Sequence, residues 1–118
     1  MSLGSNCGDR DVNIRKGLEY IHSLLTDVVS SNIYETPCAR GNGSPYKNLV
    51  VRGKWHGDPD SLDSLLKGYE IEAGRNEECR KLGKVPIDID IVIAEGKIVR
   101  KWDYRQKFFR KGYSEITQ

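Results

Sequence analysis

Ile87-Asp88-Ile89-Asp90-Ile91-Val92-Ile93 alternates apolar and acidic residues with the two-residue period of a strand. Ile87, Ile89, Ile91 and Ile93 then face a core, and Asp88 and Asp90 share the opposite face. At ~3.3 Å per residue the two carboxylates lie ~6.6 Å apart and lean toward one point. A half-buried strand with a wet face can simply tolerate aspartate. Asp is nevertheless disfavoured in strands, and two on one face repel, so something must offset the cost. A pair of divalent cations would do so, and such a pair neutralises a polyphosphate in phosphoryl-transfer sites.

Working outward, Glu95-Gly96-Lys97 reads as a tight hairpin into Ile98-Val99. Upstream of the acidic strand lies a polar loop, residues 75–85. Before it, Asp58 caps a helix with Pro59 in its first turn and an apolar stripe of Leu62, Leu65, Leu66, Tyr69 and Ala73, ending at Gly74. Two β-leaning segments, residues 28–34 and 47–55, are joined through Thr36-Pro37 and the loop Gly41-Asn42-Gly43-Ser44-Pro45, and should pair antiparallel. Asp9 caps a first helix whose stripe is Ile14, Leu18, Ile21, Leu25 and Val28, and Ser2-Leu3 makes a short strand before it. The order strand, helix, strand, strand, helix, strand predicts an α+β fold. It is the ferredoxin-like βαββαβ sandwich, an antiparallel sheet with two helices on one face and the other face open to ligands.

Composition agrees with one domain over residues 1–118. The chain carries 19 Lys plus Arg against 17 Asp plus Glu, net +2, with 37% hydrophobic residues. No run approaches the ~20 apolar residues of a membrane span, and no charged-then-apolar leader precedes Ser2, so no membrane and a cytoplasmic location are expected. The near-neutral charge argues against bulk binding of nucleic acid, while the locally basic stretch 100–118 suits a phosphate ligand. Cys7, Cys38 and Cys79 form no C-x-x-C pair and read as free thiols. Nothing in the sequence fixes the oligomeric state.

Other residues carry weaker signals. Gly4-Ser5-Asn6 lacks the spacing of a phosphate-binding fingerprint and is read as a strand-to-helix turn. Tyr46 and Asn48 share a strand face, where an amide offering donor and acceptor can read the edge of a pyrimidinone-type ring and an aromatic can pack beside it; ordinary sheet packing explains both equally well. Glu70 falls on the buried flank of its helix and needs a partner such as Arg75 or Lys67. His22 and His56 are isolated and assigned to structure.

Taken in order, Gly4-Ser5-Asn6, Tyr34-Glu35-Thr36-Pro37, Tyr46-Lys47-Asn48, Glu70 with Gly74-Arg75, and Asp88-Ile89-Asp90-Ile91-Val92 resemble the 6-hydroxymethyl-7,8-dihydropterin pyrophosphokinases of folate biosynthesis. The resemblance spans almost the whole chain. It implies transfer of the pyrophosphoryl group of ATP to the hydroxymethyl oxygen of a reduced pterin, with release of AMP. It further implies that Asp88 and Asp90 hold two Mg²⁺ ions with ATP, and that Arg75 joins them in catalysis. Thr36, Pro37, Tyr46 and Asn48 line the pterin pocket, with Tyr113 as the covering aromatic. Glu70, Arg75, Lys84 and Asp103 bind ATP. The loop departs from the family pattern: Val85 stands where an ATP-contacting arginine is usual, Leu82 where a tryptophan closes over the pterin, and Glu77 where a second arginine follows Arg75. These exchanges imply slower turnover, since a lysine such as Lys81 or Lys84 does not reproduce a bidentate guanidinium.

Two other readings compete. A non-catalytic relative would keep the fold and bind pterin or nucleotide as a regulatory or binding protein. A ferredoxin-like RNA-binding module would expose aromatics on its central strands, where this chain has carboxylates.

Overall fold

Asp9 and Asp58 start the two long helices. Asp9 accepts from the Val12 amide and opens α1 (Arg10–Leu24), and Asp58 accepts from the Ser61 amide and opens α2 (Pro59–Glu72) with Pro59 in the first turn. In this computed structural model residues 1–41 and 43–117 are described; Asn42 of the glycine-rich loop and Gln118 at the end of the basic stretch lie outside the described residues.

The strands are β1 (Ser2–Ser5), β2 (Thr26–Ser30), β3 (Tyr34–Thr36), β4 (Tyr46–Lys54) and β5 (Asp88–Asp90), followed by the small ribbon of β6 (Ile93–Ala94) and β7 (Lys97–Ile98). The main sheet is antiparallel in the order β2-β4-β1-β5, with β3 pairing the other half of β4. Counting β2 and β3 as one interrupted strand, this is the ferredoxin-like arrangement. Ile14 and Ile21 of α1 and Leu62 and Leu66 of α2 pack on one sheet face against Leu3, Leu49, Val51, Ile87 and Ile89. The other face carries a second cluster, Val50, Val92 and Phe109.

Four expectations are corrected. The first helix ends at Leu24, and Val28 belongs to β2, because the segment after Leu25 is held by backbone pairing with β4. The loop 75–85 contains a short helix, α3 (Glu77–Lys81), capped by the Asn76 side chain. Only Asp88–Asp90 of the alternating stretch pairs with the sheet: Val92 keeps the face of the aspartates but is fully buried, and Ile93 packs into the second cluster rather than the helix-side core. The fourth concerns the face read as open. There α4 (Lys101–Arg105) and α5 (Lys107–Ile116) follow, and α5 packs on β4, since Phe109, Tyr113 and Ile116 recur at helical spacing on a segment read for its charge and for Asp103 and Tyr113 but not as helical. Tyr34 fastens α5 there, donating its hydroxyl to the Phe108 carbonyl and accepting from the Gly112 amide at 3.1 Å.

Candidate active site

The part of this face left uncovered is a cleft, and strand register builds its floor. Gly4 lies opposite Asn48 on one side and Asp88 on the other, and Ser2 lies opposite Asp90. Leu3, Leu49 and Ile89 turn to the helices, so Gly4, Asn48, Asp88 and Asp90 all turn to the cleft. A Cβ on Gly4 would stand 3.3 Å from Tyr46 Cδ2 and 3.7 Å from Asn48 Oδ1, so the glycine keeps the floor open between amide and carboxylates.

The aspartate pair is set among cations. Asp88 Oδ1 accepts from Arg75 Nη1 at 2.8 Å, and Asp90 Oδ1 accepts from Lys67 Nζ at 2.9 Å. Arg100 reaches Asp90 Oδ1 at 3.8 Å and pairs with buried Asp103 at 3.2 Å. Glu70, also buried, fastens the arrangement from α2: it accepts from Arg75 Nη1 at 2.8 Å, from Lys67 Nζ at 3.0 Å and from the Ile89 amide at 2.8 Å. Its three donors orient the cleft, one on Oε1 and two on Oε2, so both carboxylate oxygens are engaged. Burial, and next the carboxylate of Asp88, push the Asp90 carboxyl above the usual range even though Lys67 opposes them. Burial works against the charge of Lys67, but Asp90 and Glu70 outweigh it and hold the ammonium above its ordinary value.

The other end of the cleft is neutral. Asn48 Nδ2 donates to Thr36 Oγ1 at 2.7 Å and to the Tyr46 carbonyl at 3.3 Å, which fixes the amide plane. Thr36, Pro37, Tyr46 and Asn48 line this end together, with Phe108 and Trp102 entering from the C-terminal helices. The Arg40 guanidinium lies 4.5 Å from the centre of the Trp102 ring at the rim.

The fold thus brings together Thr36, Pro37, Tyr46, Asn48, Asp88, Asp90 and Asp103, with Arg75 and Glu70 bound to the acidic end. Two expected residues are elsewhere. Tyr113 stacks on Phe109 at 5.1 Å and lines a separate hollow of about 650 Å³, whose walls include Leu25, Val51 and Ile116. The cleft, about 140 Å³, has Phe108 in the place expected of Tyr113. Lys84 is exposed on the loop after α3, its amide bonded to the Cys79 carbonyl at 2.8 Å, and does not line the cleft. Of Gly4-Ser5-Asn6, Gly4 and Ser5 close β1 and only Asn6 begins the passage toward α1: Asn6 Nδ2 donates to the Gly83 carbonyl at 3.0 Å and Asn6 Oδ1 accepts from the Val85 amide at 2.5 Å. Sequence reasoning missed Arg100, Trp102 and Phe108 and saw Lys67 only as a partner for Glu70. The i,i+3 spacing of Arg100 with Asp103 and of Lys67 with Glu70 was the available signal.

Fold and cleft define a ferredoxin-like domain with an acidic, cation-flanked end and a neutral amide-and-aromatic end on one sheet face. Residues 1–118 match the family described as 7,8-dihydro-6-hydroxymethylpterin-pyrophosphokinase (HPPK), and the chain belongs to that family. It is 34% identical over 101 residues to the 2-amino-4-hydroxy-6-hydroxymethyldihydropteridine pyrophosphokinase of Aquifex aeolicus, an alignment that covers 85% of this chain and 62% of that protein. It is 33% identical over 96 residues to the Bacillus subtilis protein of the same name, covering 79% of this chain and 57% of that one. A folate synthesis bifunctional protein of Arabidopsis thaliana is 33% identical over 94 residues, covering 78% of this chain and 19% of the larger protein. The chain therefore spans about three fifths of the single-function relatives. Among the described residues no helix is long and apolar enough to cross a membrane.

Proposed function

We propose that the protein transfers the diphosphoryl group of ATP to the hydroxymethyl oxygen of 6-hydroxymethyl-7,8-dihydropterin, releasing AMP. The observation that carries this reading is the shared sheet face on which Gly4 separates Asn48 from Asp88, with Asp90 beside it. One end can read a heterocycle and the other can hold a phosphate chain. The membership of the chain in the pyrophosphokinase family supports the same reaction.

The donor set suits magnesium. Among the described residues no group of three or more His, Cys, Asp and Glu side chains could hold a metal, but Mg²⁺ takes one or two carboxylates and completes its shell with phosphate oxygens and water. Asp88 and Asp90 would hold it, and it would supply charge neutralisation and polarisation of the phosphoryl oxygens. Arg75 and Arg100 flank the pair and add positive charge where the phosphates lie. Asn48 Oδ1 is left to accept from the pterin ring edge while Thr36 and the Tyr46 carbonyl hold its Nδ2, and Tyr46 and Phe108 give the ring apolar walls. In this geometry the hydroxymethyl oxygen attacks the β-phosphorus in line. The bond from that phosphorus to the α,β-bridging oxygen breaks, AMP leaves with the bond's electron pair, and the hydroxyl proton passes to solvent. Positioning and charge, rather than a strong base, lower the barrier.

Calorimetry tests the site. ATP should bind in the presence of Mg²⁺ and lose most of its affinity with a chelator, because carboxylates and triphosphate repel at close range. Equal affinity in both conditions would contradict the reading. A second reading draws on Val85, whose amide is pinned to Asn6 and whose side chain cannot fork onto phosphate. In that reading the protein binds pterin and nucleotide without turnover, and AMP release separates the two.

A further inference from the structure

The two arginines beside the aspartate pair are held in different ways. Arg75 Nη1 is spent on Glu70 Oε1 and Asp88 Oδ1, at 2.8 Å each. Arg100 turns its Nε to Asp103 Oδ2 at 3.2 Å, and its Nη1 stops 3.8 Å from Asp90 Oδ1, beyond hydrogen-bond reach. Neither Nη group makes a hydrogen bond to the described residues, and the side chain lines the cleft. Its root is fixed as well, since the Arg100 amide donates to the Val92 carbonyl at 3.3 Å and the Arg100 carbonyl accepts from the Tyr104 amide at 3.0 Å. Asp103, in the first turn of α4, is only 7% exposed. Among the described residues its carboxylate has Arg100 as its one ion-pair partner and accepts no hydrogen bond. An acid merely tolerated at a helix start would stand in solvent. A carboxylate buried with a single cation holds that cation strongly, because separating the two leaves a buried charge uncompensated.

We infer that Asp103 is a positioning residue for the transfer reaction: it grips Arg100 at Nε and leaves the Nη pair as a fork for the oxygens of a triphosphate. The inference rests on the reading of this cleft as an ATP site. Asp103 makes no contact of its own with the phosphates, which repel a carboxylate. A guanidinium fixed at Nε offers both Nη donors in one plane and meets phosphate bidentately. It gives up no hydrogen bond to do so, and its donors stand ready before charge builds up on the departing phosphate. Arg75, by contrast, must share or surrender its bond to Asp88. Lys67 cannot take this part, because its three N–H groups already meet Glu70, Ile89 and Asp90.

Chemical rescue tests it. Steady-state AMP release is followed in the parent, Arg100→Ala, Asp103→Asn and the double variant, with guanidinium chloride or an equal concentration of NaCl, kept below the level that unfolds any of them. Arg100→Ala should lose roughly 10²-fold in kcat with the pterin KM unchanged. Guanidinium, but not NaCl, should return at least about 10-fold of that loss by lodging beside Asp103 and meeting the phosphates from there. Asp103→Asn keeps the arginine and the side-chain shape and should lose about 10-fold in kcat through the misplaced fork. The double variant should show no rescue, since no buried carboxylate remains to hold the ion. Asp103→Asn at the parental kcat, a folded Arg100→Ala that guanidinium does not rescue, or equal rescue of Arg100→Ala and the double variant, overturns the inference. If Asp103→Asn does not fold by circular dichroism, the presence or absence of rescue in Arg100→Ala decides. A folded parent that releases no AMP overturns the reading of the cleft itself, and this inference with it.

Discussion

The amide of Ile89 donates a 2.8 Å hydrogen bond to Glu70 Oε2, which joins a buried helix carboxylate to the strand residue lying between the two aspartates. Because the Ile89 side chain turns into the helix-side core, this bond sets how β5 lies on α2. Through β5 it sets where Asp88 and Asp90 stand in the cleft.

Glu70→Ala should therefore cost both stability and site geometry. It leaves the Ile89 amide, Lys67 and Arg75 without their shared acceptor, which is worth about 2–4 kcal/mol in a buried network. Urea unfolding measures it. Glu70→Gln, which keeps an acceptor, should cost less than half as much, and a loss below about 1 kcal/mol for the alanine would show that the network does not hold the strand.

Gly112 is where α5 meets the sheet. A Cβ there would lie 2.6 Å from Val50 Cγ2 and 2.7 Å from Tyr34 Oη, so Gly112→Ala must push the helix outward. The expected destabilisation is about 1–3 kcal/mol. Since Phe108 rides on α5, pterin affinity measured by fluorescence should fall together with stability while nucleotide affinity changes less.

Tyr34 gives a pH dependence. Burial, eased by the Gly112 hydrogen bond and reinforced by Glu115, pushes its hydroxyl up to about 12 from a usual value near 10. Between these values the folded chain keeps a proton that the unfolded chain has released. The contribution is therefore full below pH 10 and is lost as pH rises toward 12, at up to about 1.4 kcal/mol per pH unit. Unfolding midpoints across this range should fall more steeply in the parent than in Tyr34→Phe.

The sequence made the acidic strand, both helix caps and the order of the ferredoxin-like elements readable because each rests on local signals: period-two alternation, Asp before a stripe, Pro in the first turn. The pairing of Gly4 with Asn48 and Asp88 was implicit in that order, and strand parity put the amide and the carboxylates on one face. The C-terminal half of the cleft was not readable in the same way. Phe108, Phe109 and Tyr113 are near neighbours in sequence, and which one reaches the cleft depends on how α5 rotates against Val50 and Tyr34, a tertiary matter. Lys67 escaped for a related reason: its contact with Asp90 spans 23 residues and needs β5 docked on α2.

Asn48→Ala should weaken pterin binding by about 1–3 kcal/mol and leave nucleotide affinity nearly unchanged, because the amide lies at the neutral end of the cleft. Calorimetry with each ligand separates the two. Joint loss of both affinities would indicate a folding defect instead of a lost ring contact.

Val85→Arg should raise kcat on the order of 10-fold or more with little change in KM, since a guanidinium aimed at the phosphates acts mainly in the transition state. Lys84→Ala should leave kcat alone, as Lys84 lies away from the cleft. Steady-state assays of both variants check this pair of expectations.

The most direct measurement follows the phosphorus of the reaction itself. Protein, Mg²⁺, ATP and 6-hydroxymethyl-7,8-dihydropterin are mixed and the products read by ³¹P nuclear magnetic resonance, beside Asp88→Asn and Asp90→Asn. The parent should yield AMP and a pterin diphosphate in equal amounts, and neither variant should do so. Saturating pterin and ATP with no AMP, or ADP as the nucleotide product, would contradict diphosphoryl transfer by this cleft.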